Sequence, residues 1–238
     1  MAITVPGELD FVLDMLGYEW PNVDEDAVRE AAALVRELRD DLQRTLDAMD
    51  ARIAGELSAG FQSRAALAYL EAWTENRTQN MDALLGALPG VADGIELIAD
   101  AVVALKTKVV AELAITAAQL AAAAATAVAT AGVSVAANAA IIVARKKALD
   151  VVTELAVAEV VAQALGAVVE PLAGTIADLA DAIVDAPLVS GGADVPAVDV
   201  DFAVMDAIAD AMDECGAEQR AIGIAFASRV SALPIFAS

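Results

Sequence analysis

The sequence predicts an all-α protein, an elongated helical bundle that carries an antiparallel helical hairpin and a long Ala-rich helix. Three observations predict it. Hydrophobic residues make up 59% of the 238 positions but aromatics only 4%, so the core must be built from Ala, Leu and Val. That composition suits close-packed helices, whereas a sheet wants more β-branched and aromatic side chains. Residues 113–144 carry no charge, and half of them are Ala, the strongest helix former. Finally, Val35, Leu38, Leu42, Leu46, Met49, Ile53 and Leu57 form one apolar seam with an eleven-residue period. At about 3.67 residues per turn, such a seam packs nearly straight or with a slight right-handed twist.

The elements follow in order. Residues 7–16 form a short amphipathic helix that ends at Gly17. Tyr18-Glu19-Trp20-Pro21 is an extended lead-in, because the residue before proline is pushed out of the α region. Asn22 with Glu25 reads as a capping box, and Asp24, Glu25 and Asp26 suit the positive end of the helix that follows, 24–57. Ser58-Ala59-Gly60 is the turn to a third helix, 61–88, with Phe61, Ala65, Tyr69 and Trp73 on one face. Two helices joined by a short Gly turn form an antiparallel hairpin. Pro89-Gly90 ends the third helix.

Residues 91–169 remain helical, as one very long helix or as two with a break near Gly132. A short helix spans 172–185, 187–201 is a linker, and a C-terminal helix spans 202–232. The bundle proper is expected to occupy 1–186. The run 113–144 is long enough as a helix to span the roughly 30 Å core of a bilayer. Its alanines, however, contribute little to lipid transfer, so it reads first as a helix packed inside the bundle. Thr126, Thr130, Ser134 and Asn138 lie four apart and give it a narrow polar stripe. The alternative is a helix that lines a pore through that stripe.

Charge and chemistry exclude several functions. A net charge of −22 rules against nucleic acid as a partner. Without His, and with Cys215 flanked by Asp213 and Glu214, the common acid–base and nucleophile constellations are missing, so no catalytic residues, cofactor or metal site are expected. The carboxylate rows Asp178, Asp181, Asp185 and Asp206, Asp210, Asp213 read as wet helix faces. A lone cysteine excludes an internal disulfide, and residues 1–10 lack the basic and apolar parts of a Sec-type leader.

Gly17-Tyr18-Glu19-Trp20-Pro21-Asn22-Val23-Asp24-Glu25-Asp26 resembles the G-x-x-W-P-x-x-D-E-D opening of the WXG-like N-terminal domain in actinobacterial type VII (ESX) secreted polymorphic toxins, the CpnT-like group. Lys108-Val109-Val110-Ala111-Glu112-Leu113 is similar to a later step of that domain, and the resemblance covers about 7–165. Trp20, Pro21, Asp24, Glu25, Gly60 and Trp73 are the positions that carry it. Ser58 stands where the Trp of a W-x-G turn would be.

The resemblance implies a non-enzymatic helical module that is cytoplasmic before export, then secreted or associated with the cell envelope. It implies a small WXG-type helical protein or the secretion machinery as partner, and a C-terminal toxin or separate effector as cargo. Two alternatives accompany this reading: a membrane channel using 113–144, and a homo-oligomeric helical unit of a ring or filament.

Overall fold

The computed structural model describes residues 2–57, 73–129, 134–164, 166 and 202–236. It is all-α, as the composition predicts. Five α-helices are described: α1 (Gly7–Leu16), α2 (Glu25–Arg52), α3 (Asp82–Ala129), α4 (Ser134–Ala164) and α5 (Phe202–Ser231). Two π-helical stretches, Ile53–Leu57 and Asn76–Met81, follow α2 and precede α3. No strand occurs among the described residues, only an isolated antiparallel bridge between Val23 and Phe236.

The chain divides into two compact units. The first comprises Met1–Glu30, Gly94–Gly166 and Pro234–Ser238, and the second Ala31–Asp93 and Ala167–Leu233.

In the first unit, α1 ends as its sequence demands. Gly17 adopts the left-handed conformation (φ 57°) and its N–H reaches back to the carbonyl of Asp14. Glycine takes that geometry without the Cβ clash other residues suffer. Helices α3 and α4 run antiparallel: Arg145 bonds Glu112 at 2.6 Å and Gln119 at 3.2 Å, while Leu149, further along α4, packs on Leu105, Val109 and Leu113. Val12, Leu16 and Tyr18 close this core from α1 and the segment after it. The Tyr18 hydroxyl shares a 2.5 Å hydrogen bond with Thr153.

The charge-free run differs from its expected burial. Leu113 and Thr116 are buried, but Ile115 is 45% exposed, and Val143, on the returning helix, 68%. The cause is the helix face: Leu113 turns into the core with Leu105 and Val109, whereas Ile115 lies on another side of α3, and Val143 turns away beside Ile142, which packs on that core. Thr126, Thr130, Ser134 and Asn138 lie outside the described side chains, and Gly132 outside the described residues.

In the second unit the α2 seam meets α5. Met49 and Ile53 form a cluster with Ile208 and Ala211, and Trp73 packs beside it. Leu46 and Val35 are also buried, but Leu38 and Leu42 only partly so. Opposite Leu38, α5 offers Ala221 and Ala225, whose small side chains leave a groove of about 260 Å³. Arg229 to Glu37 (2.7 Å) and Arg52 to Glu214 (3.2 Å) bridge the two helices across the surface.

Pro89-Gly90 does not end a helix, contrary to the sequence expectation. Helix α3 runs through both residues, although Pro89 has no N–H to give the carbonyl of Leu85. Leu85 and Leu88 before the proline, and Val91 and Ala92 after it, are all buried. Burial on both sides holds one helical register and outweighs the lost bond. The turn at Ser58-Ala59-Gly60, residues 61–72 of the helix expected at 61–88, the helix at 172–185 and the linker at 187–201 fall outside the described residues, while 73–88 is helical.

Candidate functional site

The residues that open α2 form the most constrained polar site among those described. The cap is Asp24, not Asn22. Its carboxylate accepts the N–H groups of Asp26 (2.9 Å) and Ala27 (3.1 Å), while Asn22 is exposed. A short carboxylate one position before the first helical residue reaches those free donors directly. The expected capping box therefore does not form, which releases Glu25 for another role.

Glu25 points inward, 1% exposed, and pairs with Lys106 of α3, 3% exposed, at 2.6 Å. Lys106 also donates to the carbonyl of Val23 at 2.7 Å, and its ammonium lies 5.8 Å from the ring centre of Trp20. The second carboxylate oxygen of Glu25 accepts the N–H of Ile3. One ion pair thus ties together the N-terminal segment, the Trp-Pro lead-in, the start of α2 and the middle of α3. Burial works to raise the Glu25 carboxyl, but hydrogen bonds from Lys106 and Ile3 outweigh it, and its pKa lies below the usual carboxylate range. The C-terminal segment joins from the other side, where Asp24 N–H donates to the carbonyl of Ile235 at 2.8 Å.

Of the residues singled out by sequence, the structure brings Trp20, Pro21, Asp24 and Glu25 together in the first unit. Trp20 is half-buried against the α1–α3–α4 core. Trp73 stands in the second unit, where its indole N–H donates to Asp50 at 2.7 Å. Beside it Arg77 pairs with Asp50 (3.2 Å), Asp47 (3.4 Å) and Asp82. These three carboxylates lie 27, 30 and 5 residues from Arg77 in the chain. Gly60 is outside the described residues, as are Asp178, Asp181 and Asp185. Asp206, Asp210 and Asp213 sit exposed on α5. Among the described residues no group of His, Cys, Asp and Glu side chains is arranged to hold a metal ion.

Lys106 is the residue that sequence reasoning missed. Its signal was present: Val102, Lys106, Val109 and Leu113 fall on one helical face, and a lysine in an apolar face requires an anionic partner.

The site holds its two buried charged groups paired with each other. It can fix geometry. A buried pair that joins four chain segments holds the lead-in in one arrangement and gives the start of the domain a single conformation.

The comparisons with known proteins agree with that domain. A family model, the WXG100 like domain, matches residues 6–147, from the start of α1 to the lysine pair of α4 and including every partner in the Glu25–Lys106 site except Ile3 and the C-terminal segment. No curated protein and no solved structure matches the chain. With more than half of its residues matched, the chain belongs to the WXG100-like domain family, the helical proteins of type VII secretion.

Proposed function

We propose that the chain is a non-enzymatic module exported by a type VII system, a CpnT-like N-terminal domain that binds a small helical partner and accompanies or delivers an effector. The observation that carries this reading is the buried Glu25–Lys106 pair at the Trp-Pro lead-in. It ties residues separated by 81 positions inside the family match, so that the domain presents one preset surface. Preset surfaces serve recognition, because less ordering is left to be done on binding.

The partner's surface is the uncovered side of α3 and α4. Leu97, Ala101, Ala104 and Lys108 are spaced 4, 3 and 4 along α3, the spacing of a helix–helix seam. Ala101, Ala104, Lys108, Leu155 and Glu159 border a groove of about 340 Å³, and Leu155 stands 67% exposed at its edge. A partner helix that seats an apolar ridge there covers the side chains this unit leaves in water.

Co-expression with a small WXG-type helical protein from the same genome tests the reading. The two should co-purify, and Leu155→Asp should abolish co-purification without reducing helicity. Co-purification unaffected by Leu155→Asp contradicts the proposed surface, and its absence in the parent chain contradicts the partner.

A second reading, membrane contact through 113–144, is favoured by the exposure of Ile115 and Val143. No described helix is long and apolar enough to cross a membrane. Dye release from liposomes distinguishes the two readings.

A further inference from the structure

The second unit gathers much of the chain's sulfur at one place. Met49, Met81, Met212 and Cys215, four of the seven sulfur side chains in a sequence with six Met and one Cys, border a single cavity of about 180 Å³. They arrive from three separate elements: α2, the end of the second π-helical stretch, and α5, where Met212 and Cys215 share a face at i, i+3.

Methionine used as core filler closes space. Here Met49, Met212 and Cys215 pack at the edge of the Ile53–Ile208–Ala211 cluster and, with Met81, border space that stays open, and Met81, Met212 and Cys215 are partly exposed, which gives a path in. Among the described residues no carboxylate borders the cavity, so these give hard cations such as Ca²⁺ or Mg²⁺ no oxygen cage. Arg77, which also borders it, has its charge offset by Asp47, Asp50 and Asp82.

Thioethers and thiols are soft donors that select monovalent copper over zinc, calcium or magnesium. We propose that this cavity binds one Cu(I) ion through the thioethers of Met49, Met81 and Met212 and the thiolate of Cys215. Burial first, then Glu218 and Asp50, push the Cys215 thiol up, so it is protonated before the metal arrives. Binding breaks its S–H bond, forms an S–Cu bond and releases the proton to solvent. Copper stays Cu(I) throughout, and the thioethers give lone pairs only. The site is therefore weaker at lower pH.

The test uses the full chain under anaerobic conditions, titrated into Cu(I) held as its bicinchoninate complex. The intact chain should withdraw one equivalent. Met212→Leu and Met81→Leu, which conserve volume and leave the thiol in place, should each lower affinity at least tenfold with helicity unchanged. Cys215→Ser should weaken binding further, and equimolar Zn²⁺ should not compete. Failure of the intact chain to withdraw copper overturns the proposal. So does undiminished binding in both Met→Leu variants, which would mean that a bare thiol holds the metal.

Discussion

Glu25 and Lys106 are both removed from water, so each is stable only while the other is charged. Glu25→Gln or Lys106→Met alone should cost about 3–5 kcal/mol, because each leaves an uncompensated buried group. The double variant Glu25→Leu with Lys106→Met should recover most of that loss, and denaturant unfolding of the three chains checks it. The pH dependence has a definite sign. A carboxyl held below its unfolded value adds stability above that value, about 4.3, and loses it as pH falls through its folded pKa. Melting temperatures from pH 6 down to 3 should therefore fall more steeply for the parent chain than for the double variant. Gly17→Ala should cost about 1–2 kcal/mol, since alanine resists a φ of 57°. Gly17 as a helix stop was legible in the sequence. The Glu25–Lys106 pair was not, because a pairing 81 residues long leaves no local pattern, and only the placement of Lys106 on an apolar face hinted at it.

At the scale of elements, periodicity read well and punctuation read poorly. The bounds of α1 and the existence of α2 and α5 follow from apolar spacing and Gly17, whereas Pro89-Gly90 reads as a stop and is not one. Local rules price the missing N–H of proline, but they do not contain the burial of Leu85, Leu88, Val91 and Ala92 that overrides it. It follows that Pro89→Ala should stabilise the chain by about 1–3 kcal/mol by restoring a bond to the Leu85 carbonyl. A melting temperature that falls would mean that the proline relieves a strain the continuous helix imposes. The α2 seam makes a second prediction. Leu46→Asp should unfold the second unit by burying an unpaired charge, while Ala33→Glu on the exposed side should shift the melting temperature little. Equal shifts would remove the seam.

For the whole molecule, composition, the Ala-rich run and the apolar seam pointed to the all-α class, and the Trp-Pro opening pointed to a WXG-type domain. Site geometry came from tertiary contacts between distant segments, which no single stretch of sequence encodes. A net charge of −22 on 238 residues also acts at this scale. Carboxylates that repel one another should make the chain more stable as salt rises from about 10 to 150 mM, where the Debye length shrinks from about 30 to 8 Å. Proposed export as a type VII module is tested by the amount of this chain in culture filtrate from cells whose type VII ATPase is active or inactivated, with a cytoplasmic protein as lysis control. The chain should appear outside only when the ATPase works, and Glu25→Gln should reduce the exported share. Equal amounts outside with and without a working ATPase would contradict it.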